Sequence, residues 1–393
     1  MRRVVFFFES VYPDNNACSV RAHFLISAFV KAVKDVELIV LTGTRVPVNM
    51  EGVIFLSLVV PKSYKSSSFI YRALKEFFLG VKAVIAFSKL KRDCDFIYIS
   101  SPSYLASMFL TTFSFISKVR FVFEIRDIYP QAFGYAGMIT EGGFFYKIFA
   151  FLSNLAYRKS VLNIAATVGI AQLINQNVSV SNNLVSFNGF PSSLVELTNK
   201  KKYDRFTLVF HGTLGMFQDI ELLCRLGNEL SVYNDIDLVV IGHGTKADLV
   251  EHSTKQNPNI RFLRSLNHKE TMDIVAKCHV GLSLRFSDPL SFISFPVKNW
   301  EYLGLQIPSI ICPFGSEAGR FLELNGCGIQ VNTGDMNAIV DAVLRLKSDK
   351  LYYQCYVDNC ARIRGGFTRE ALSSALVGSL IKDFFNSDFN KDC

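Results

Sequence analysis

Lys298 and Glu301 stand three residues apart in the segment 295–304, and the apolar run 307–312 follows directly. We interpret this region as a short helix that leads into a buried strand. The spacing places both side chains on one helix face, near the positive end of the helix. A helix N-terminus with a lysine can hold phosphate, and a carboxylate one turn later can accept hydrogen bonds from sugar hydroxyls. Taken alone, however, the segment is better explained as an exposed Lys–Glu pair on an ordinary helix of an α/β domain.

The start of this helix is predicted from two residues. Ser294 is a candidate N-cap. Pro296 would lie in the first turn, where a missing N–H group costs nothing. The predicted helix then covers residues 295–303.

Length and composition predict a two-domain globular protein. At 393 residues the chain is too long for one typical core. The longest apolar span, 104–116, is too short to cross a bilayer, and the apolar run 4–8 is too short for a signal peptide. The nine cysteines are odd in number and form no CxxC motif, which favours free thiols in a reducing compartment. The six histidines are not paired with cysteines at ligand spacing, so we expect no zinc site.

Charge is divided unevenly along the chain. Residues 1–190 carry 20 basic and 11 acidic side chains, a net charge of +9. Residues 191–393 carry 22 and 23, a net charge of −1. A basic first half joined to a neutral second half implies that one domain faces an anionic surface or polymer.

Alternating apolar strands and helices predict two α/β units. Strand 3–8, helix 20–33 and strand 36–42 form a first βαβ unit. Residues 196–205 are polar and lack periodicity, and we interpret them as a linker. A second series begins with strand 206–211. We therefore expect two Rossmann-like, doubly wound domains with ligand-binding loops at the carboxyl ends of their strands.

The predicted domain bounds follow from this pattern. They are 1–195 for the N-terminal domain and 196–368 for the C-terminal domain. Residues 369–393 are expected to form a final helical region that packs back on the N-terminal domain.

Two glycine turns follow strands of the second half. After strand 206–211 comes Gly212-Thr213-Leu214-Gly215, and small residues between a strand and a helix let backbone N–H groups approach an anion. The loop has neither the ending of a Walker loop nor the spacing of a dinucleotide GxGxxG motif, and a plain glycine turn stays a serious alternative. The second turn, Gly242-His-Gly244, is expected to serve strand-to-helix packing.

In their order along the chain, these segments resemble the C-terminal donor domain of GT-B glycosyltransferases, in particular the large retaining family four. The family pattern Pro-Ser-Lys-x-x-Glu-Tyr-Leu-x-x-Gly-x-Pro stands at residues 296–308 as Pro-Val-Lys-Asn-Trp-Glu-Tyr-Leu-Gly-Leu-Gln-Ile-Pro. In the first half, the stretch from Tyr12-Pro13 to Arg21 and the segments 124–130 and 187–190 are similar to family segments. The similarity covers most of the chain. Members that resemble it build bacterial surface polysaccharides such as O-antigen or capsule.

The resemblance implies a GT-B fold, in which an acceptor-binding N-terminal domain and a nucleotide-sugar-binding C-terminal domain face a cleft. Glu301 would bind the donor ribose, while Lys298 and the 212–215 loop would hold the diphosphate. The implied donor-binding residues are Gly212, Thr213, Leu214, Gly215, Arg264, Ser294, Phe295, Pro296, Val297, Lys298 and Glu301. The implied acceptor-binding residues are Asn15, Asn16, Ala17, Arg21, Arg126 and Asp127. The implied catalytic residues are Asp127, Lys298 and Glu301.

The sequence departs from the family pattern at three places. The first glutamate of the family's Glu-x₇-Glu motif is Ile293 here. Residues 216–218, Met-Phe-Gln, stand where many relatives place Arg and Lys, and Asn15-Asn16-Ala17 replaces twin glycines. Lys298 thus becomes the main cation for the leaving group, with Arg285 and Arg320 as further candidates.

The chemistry expected of such a site is sugar transfer with retention of anomeric configuration, as the resemblance implies. Fixed N–H groups and a lysine would stabilise the charge that develops on the departing diphosphate. We expect neither a metal nor a cofactor. Asp127 would take the acceptor proton, or the departing phosphate would take it instead. A structural ion pair with Arg126 is the alternative role for Asp127.

The segment 62–92 suggests contact with a membrane. It holds eight basic residues and one acid, Glu76, with Phe, Leu, Ile and Val interleaved at helical spacing. Such a helix suits an anionic membrane interface, while burial of its apolar stripe in the first domain is the alternative. A lipid-linked saccharide acceptor, on polyprenyl diphosphate by analogy with such pathways, would explain membrane contact. The expected location is the cytoplasmic face of the bacterial plasma membrane, and no recognition motif supports nucleic acid as a partner.

Two other functions remain open at this point. One is a non-hydrolysing nucleotide-sugar epimerase, which shares the two-domain architecture and needs carboxylates and a histidine around the sugar. The other is a catalytically weak, nucleotide-sugar-binding subunit, which the departures at residues 216–218 and at Ile293 motivate.

Overall fold

The computed structural model describes residues 2–14, 16–45, 49–60, 69–101, 103–180, 182–264 and 266–385, without the side chains of Phe69 and Ile70. The chain divides into two compact units. The first comprises residues 1–187 and 372–393, and the second comprises residues 188–371.

The first unit is built on a seven-stranded parallel sheet in the order β3-β2-β1-β4-β5-β6-β7. Its strands are β1 Arg2–Phe8, β2 Val36–Thr42, β3 Val53–Ser57, β4 Cys94–Ser100, β5 Phe121–Ile125, β6 Leu162–Ala165 and β7 Asn183–Val185. Its helices are α1 Ala17–Ala32, α2 Phe69–Leu90, α3 Tyr104–Ile116, α4 Gln131–Tyr135, α5 Phe144–Lys159 and α6 Val168–Val178. The central strands are continuous apolar runs because helices cover the sheet on both faces.

The second unit is built on a six-stranded parallel sheet in the order β10-β9-β8-β11-β12-β13. Its strands are β8 Phe206–Thr213, β9 Ile236–His243, β10 Ile260–Leu263, β11 Val280–Ser283, β12 Ser309–Ile311 and β13 Gly328–Gln330. The first helices are α7 Ile220–Glu229, α8 Ala247–Gln256, α9 His268–Val275, α10 Pro289–Ile293 and α11 Val297–Gly304. The others are α12 Glu317–Leu324, α13 Met336–Ser348, α14 Lys350–Ile363 and, as the last helix of the chain, α15 Arg369–Phe384. Short 3₁₀ helices cover Lys91–Asp93, Ser192–Asn199, Leu230–Val232 and Arg364–Phe367.

The last helix belongs to the first unit from Leu372 onward. Together with α1, it covers one face of the first sheet, where Leu376, Val377 and Leu380 are buried. The Phe384 ring stacks on Phe96 of β4 at a centroid distance of 4.1 Å. On the other face, α2 packs on α3, and α3 packs on α5.

The region interpreted as a linker is packed within the second unit, and the division between the units falls after Phe187 rather than after residue 195. Residues 192–199 form a 3₁₀ helix that contacts α9 and α11, with Leu194 buried. Lys202 Nζ donates hydrogen bonds to the carbonyl oxygens of Ala276 and Cys278 at 2.9 and 2.7 Å. The polar sequence was misleading because Lys202 binds backbone carbonyls and Lys200 pairs with Asp273 of α9, so both side chains attach the segment to the second unit.

Two predicted helix starts were also wrong. Helix α1 begins at residue 17 rather than 20 because Asn16 caps it, accepting hydrogen bonds from the N–H groups of Cys18 and Ser19. The helix predicted at 295–303 begins at Val297, as α11, because Pro296 has an extended ψ of 137°, and a separate short helix, α10, ends before it at Ile293. Pro296 is therefore the N-cap of α11, and Ser294 lies at the C-terminal end of α10.

Tyr302 anchors α11 to the sheet beneath it. Its hydroxyl donates to the carbonyl oxygens of Val209 in β8 and Leu282 in β11, at 3.1 and 3.4 Å. The ring lies against Gly281, where an added Cβ would stand 2.4 Å from a ring carbon. Only glycine at this position lets the helix approach so closely.

We predict that Gly281→Ala lowers the free energy of unfolding of the second unit by roughly 1–3 kcal/mol, since the new methyl group overpacks a rigid ring. The single tryptophan, Trp300, is buried in α11, so its fluorescence in urea reports on this unit. Gly366→Ala is the matched control because nothing lies within 4 Å of its Cβ position. Equal unfolding midpoints for the two variants would contradict this account of α11.

Candidate functional site

A cavity of about 570 Å³ opens in the second unit, at the carboxyl ends of β8 and β11 and the N-terminal end of α11. It is lined by His211, Gly212, Thr213, Gly215, Met216, Phe217, Gln218, Arg285, Val297, Lys298 and Glu301. Open α/β sheets bind ligands at this edge. The structure thus brings Lys298, Glu301, Val297 and three residues of the 212–215 loop together.

The 212–215 loop is held in place from beneath by the second glycine turn. Gly212 has φ +115°, a conformation that favours glycine. Leu214 is fully buried, and its N–H group donates to the carbonyl oxygen of His243 at 2.8 Å. A Cβ at Gly242 or Gly244 would lie 2.0 or 2.3 Å from a carbonyl oxygen of the loop. Gly242 and Gly244 therefore serve packing, as expected, and Leu214 serves as an anchor beneath the cavity.

The N-terminus of α11 points into this region without a side-chain cap from any described residue. The first N–H groups of a helix have no partner within the helix and carry a partial positive charge. Arg285 Nη1 donates to Ser294 Oγ. The Phe295 ring stacks on Trp300 at 3.9 Å, so this side chain belongs to the core and only the backbone of residues 294–296 is placed near the helix start.

The Lys298 ammonium is buried, with the residue only 7% exposed. Its Nζ lies 3.5 Å from the centroid of the Phe210 ring and donates to Gln218 Oε1 at 3.2 Å. No carboxylate among the described residues lies within salt-bridge distance of it. Burial lowers the pKa of Lys298 well below its usual range, the Arg285 guanidinium lowers it further, and Glu301 opposes both. An exposed Lys–Glu pair is therefore excluded.

Glu301 is buried beside two histidines that the sequence analysis did not single out. His268 Nε2 donates to Glu301 Oε1 at 2.7 Å, and His211 Nε2 lies 3.6 Å from Oε2. Burial alone would raise the pKa of Glu301, but the hydrogen bond from His268 holds it below its usual value. Burial lowers the pKa of His211 to about 4, so its ring is neutral at pH 7. The sequence feature that could have revealed His211 is its position directly before Gly212, at the end of the predicted strand 206–211.

The three arginines of the second unit named from the sequence have different positions. Arg285 lines the cavity, with its Nε donating to the carbonyl oxygen of Phe217 at 3.3 Å. Arg320 is exposed on α12 and does not line the cavity. Arg264 does not line it either, because its guanidinium binds Asp248 at 2.8 Å and also Glu251. The expectation that Arg264 binds the donor is not supported by its position.

In the first unit, Arg126 and Asp127 follow β5 at the carboxyl edge of the sheet. Within the described part of the chain, their side chains form no salt bridge, which argues against a simple structural pair. The Asp127 side chain is exposed. Desolvation by the surrounding protein atoms nevertheless raises the pKa of its carboxyl group, although the guanidinium groups of Arg126 and Arg72 act to lower it. The Arg126 N–H group donates to Ser101 Oγ at 3.1 Å.

Arg21 has a structural role rather than the predicted contact with an acceptor. Its Nε pairs with the buried carboxylate of Glu124, and its other nitrogens donate to the carbonyl oxygens of Phe187 and Ser186 at 2.9 and 3.1 Å. Glu124 also accepts from Ser100 Oγ at 2.6 Å. The family-like position of Arg21 is thus used to hold strand ends together.

The first loop is the remaining part of the predicted acceptor site. The Asn16 side chain is occupied in capping α1, and Ala17 is the exposed first residue of that helix. Asn15 lies outside the described residues. The side-chain oxygen of Asn16 is therefore engaged in the cap, while Ala17 keeps an open surface.

Two features are absent among the described residues. No group of three or more His, Cys, Asp or Glu side chains there is arranged to hold a metal ion. No helix there is long and apolar enough to span a bilayer.

Comparison with known proteins identifies the fold. No protein-family model matches the chain, and no curated protein matches its sequence significantly. HepE from Anabaena, solved in complex with UDP, is 14% identical, with a TM-score of 0.69 over 97% of this chain and 100% of HepE. Sucrose-phosphate synthase from Thermosynechococcus elongatus is 14% identical, with a TM-score of 0.71 over 99% of this chain and 100% of the synthase. WaaG, a glycosyltransferase involved in lipopolysaccharide biosynthesis, is 11% identical, with a TM-score of 0.67 over 96% and 99%.

These similarities extend over almost the whole chain and establish its fold. The protein is an α/β protein with two Rossmann-like, parallel-sheet domains, as the sequence predicted, and it shares the GT-B fold of these structures.

We predict that Lys298→Met makes the second unit more stable near pH 7, by about 1 kcal/mol or more, because a buried charge without a counterion is removed. The folded-state pKa of Lys298 is depressed, so between that pKa and the ordinary value of 10.5 the unfolded state binds more protons than the folded state. The wild-type stability should therefore rise with pH towards 10.5, and the variant should lose that part of the slope.

The measurement is urea unfolding at several pH values, followed by Trp300 fluorescence. The difference in unfolding free energy between wild type and variant is compared across pH, because the contributions of other titrating groups cancel in this difference. Parallel curves for the two proteins would show that Lys298 is not the buried, uncompensated charge described above.

Proposed function

We propose that this protein transfers a sugar from a nucleotide-sugar donor to a saccharide acceptor. The observation that carries the proposal is the cavity of the second unit, where the Lys298 ammonium, the Arg285 guanidinium and the uncapped start of α11 line one space. These are the groups that a diphosphate requires, since charge-assisted hydrogen bonds to phosphate are strong. The resemblance to glycosyltransferases of family four and the shared GT-B fold support the same reaction.

Each donor group has a proposed place in this cavity. The diphosphate lies against Lys298, Arg285 and the N–H groups of the 212–215 loop. Arg285 replaces the loop cations that Met216–Gln218 lack. Glu301 accepts hydrogen bonds from the ribose hydroxyls through Oε2, because His268 already occupies Oε1. The backbone of residues 293–297 contacts the donor sugar.

The proposed mechanism is dissociative and uses charge stabilisation. The anomeric C–O bond breaks, and the leaving diphosphate gains negative charge near Lys298 and the start of α11, which stabilises the transition state more than the ground state. The acceptor hydroxyl attacks on the face that the diphosphate leaves, so configuration is retained. Asp127 or the departing phosphate takes the acceptor proton; a raised pKa suits Asp127 to that task. No metal is required.

The nature of the donor and of the product is proposed from the structural relatives. HepE has been solved with UDP and with UDP-glucose, so uridine nucleotide sugars are the first donors to test. WaaG acts in lipopolysaccharide biosynthesis, which supports a role in bacterial surface polysaccharide assembly. We propose a lipid-linked saccharide as acceptor and the cytoplasmic face of the plasma membrane as the location.

We predict that a panel of nucleotide sugars, led by UDP-glucose, contains one that raises the melting temperature, because a ligand that binds only the folded state stabilises it by mass action. Lys298→Met and Arg285→Met should each weaken its binding at least about tenfold, the equivalent of one lost charged contact. Arg320→Met is the matched control, since Arg320 is exposed outside the cavity. Wild-type affinity in Lys298→Met and Arg285→Met would contradict the proposed diphosphate site.

Turnover of the bound donor with saccharide acceptors completes this test. NMR of the product gives its anomeric configuration, and inversion would contradict the retaining mechanism. Donor binding without any transfer would favour the catalytically weak subunit, which Ile293 motivates. Interconversion of the sugar without an acceptor would favour an epimerase. Among the described residues, Glu301 is the one carboxylate that lines the cavity, which argues against the epimerase.

We also propose that the first unit binds a membrane surface through α2. The buried face of this helix consists of Glu76, Leu79, Gly80, Ala83 and Phe87. A second apolar stripe, Leu74, Phe77, Phe78 and Ile85, stays 44–54% exposed. Burial of one stripe in the domain therefore leaves another at the surface, flanked by basic residues such as Lys82 and Lys89. Residues 61–68, which include Lys62 and Lys65 of the predicted segment, lie outside the described residues.

We predict that the double substitution Phe77→Ser/Phe78→Ser reduces binding to lipid vesicles at least about fivefold, because it removes apolar area that would enter the interface. Co-sedimentation with vesicles measures the bound fraction. The double substitution Val232→Ser/Leu324→Ser removes exposed apolar side chains of the second unit and is the control. If both double variants bind as the wild type does, α2 is not the membrane contact.

A further inference from the structure

A second polar cavity lies in the first unit, at the edge of the sheet where its strands begin. Its volume is about 490 Å³, and it is formed by the segments before β4 and β5. The cavity is lined by Lys91, Arg92, Cys94, Asp95, Ser117, Lys118, Val119 and Arg120. Four cationic side chains and one carboxylate thus face a single space, at the opposite end of the strands from Asp127.

The cations of this cavity are not neutralised by the described residues. None of the four forms a salt bridge there, and the neighbouring Asp93 lies 3.6 Å from Arg3 instead. Lys91 makes only a long hydrogen bond to Ser117 Oγ, at 3.4 Å, and Arg120 makes one to the carbonyl oxygen of Asp95, at 3.3 Å. Four like charges around one space repel each other, so the arrangement favours an anion between them.

Basic residues near helix C-termini often interact favourably with the negative end of the helix dipole, but this interaction does not account for all four cations here. The last carbonyl groups of α3 are already satisfied, because the N–H groups of Ser117, Lys118 and Val119 donate to residues 113–115 of the helix. The ends of α2 and α3 each contribute about half a negative charge, and Asp95 contributes one more. Against four cations, an excess of roughly +2 remains by this count.

Two of the cations are also held in position. The Lys91 ammonium lies 5.2 Å from the centroid of the Phe113 ring, and the Arg120 guanidinium lies 5.1 Å from that of Phe384. Contacts with aromatic rings fix the orientation of a cation while leaving its N–H groups available. The cavity is therefore partly organised for an anionic ligand.

The neighbouring surface indicates where the anion comes from. Ile116 and Phe115, the last residues of α3, are 71% and 43% exposed beside Ser117 and Lys118. The outer side of α5 also exposes apolar side chains, namely Phe144, Phe145, Ile148 and Phe151. An apolar tip beside a basic cavity suits the interface of a bilayer, where acyl chains and phosphate groups lie next to each other.

We propose that this cavity binds the phosphate headgroup of an anionic phospholipid while Ile116 enters the bilayer surface. The inference rests on the proposed membrane contact of the first unit and adds a specific headgroup site to it. Arg92, Lys118 and Arg120 donate charge-assisted hydrogen bonds to the phosphate oxygens. Phe115 and Ile116 contribute apolar contact.

The test compares vesicles of phosphatidylcholine with vesicles that also contain phosphatidylglycerol. Lys118→Gln/Arg120→Gln should lower the fraction bound to anionic vesicles at least fivefold and leave the weak binding to neutral vesicles unchanged. Lys255→Gln/Lys269→Gln removes the same charge from exposed positions of the second unit and should change binding less than twofold.

Ile116→Ser should weaken binding to both kinds of vesicle. Circular dichroism confirms that each variant is folded.

The possible results separate this inference from the general membrane contact. If Phe77→Ser/Phe78→Ser loses binding while Lys118→Gln/Arg120→Gln retains it on anionic vesicles, α2 is a membrane contact without a headgroup site here, and the inference is wrong. An equal loss in the cavity and control double variants would show non-specific charge attraction and would also overturn it. A last experiment measures the binding of inorganic phosphate to the protein in the absence of vesicles. If phosphate binds in the cavity and Ile116→Ser binds vesicles normally, the cavity serves a free anion rather than a lipid.

Discussion

The burial of the Lys298 ammonium without a carboxylate partner is the constraint on which the donor cavity depends. Charge in a protein interior is costly unless it is paired, and here a glutamine oxygen and the face of Phe210 are its contacts. Arg285 adds a second positive group and makes the cost larger. A bound diphosphate would compensate both, so the cavity has an incomplete charge balance that a ligand of the right charge completes. The uncompensated charge thereby lowers the stability of the free protein and strengthens the binding of a diphosphate at this site.

The rest of the second unit positions this charge. Tyr302 and Gly281 fix α11 on β8 and β11, while Gly242 and Gly244 let the 212–215 loop approach the second strand end. His268 orients Glu301 one turn after Lys298. The elements that hold the site are therefore close-packed backbone contacts, which tolerate only glycine at several positions.

The sequence predicted the fold, the strand-end location of the cavity and the presence of Lys298 and Glu301 on one helix, because apolar periodicity and glycine turns are local signals. It did not predict the roles of Arg21 or Arg264, since an arginine's partner is set by tertiary contacts that spacing does not encode. The same reason hid His268, which reaches Glu301 from a different helix. The polar segment around Lys202 was misread because lysines can bind backbone carbonyls as well as solvent. The sequence alone could not show which apolar residues of α2 stay exposed, because this depends on which face of the helix packs on the domain.

Calorimetric titration with UDP, in pairs of buffers that differ in ionisation enthalpy, tests the central claim most directly. We predict that UDP binding takes up protons from the buffer in the pH range above the depressed pKa of Lys298 in the free protein, because the diphosphate restores the charge of this lysine. Uridine, which lacks the phosphates, should show no such uptake. Binding of UDP without any proton uptake across this range, or with the same uptake in Lys298→Met, would contradict the account.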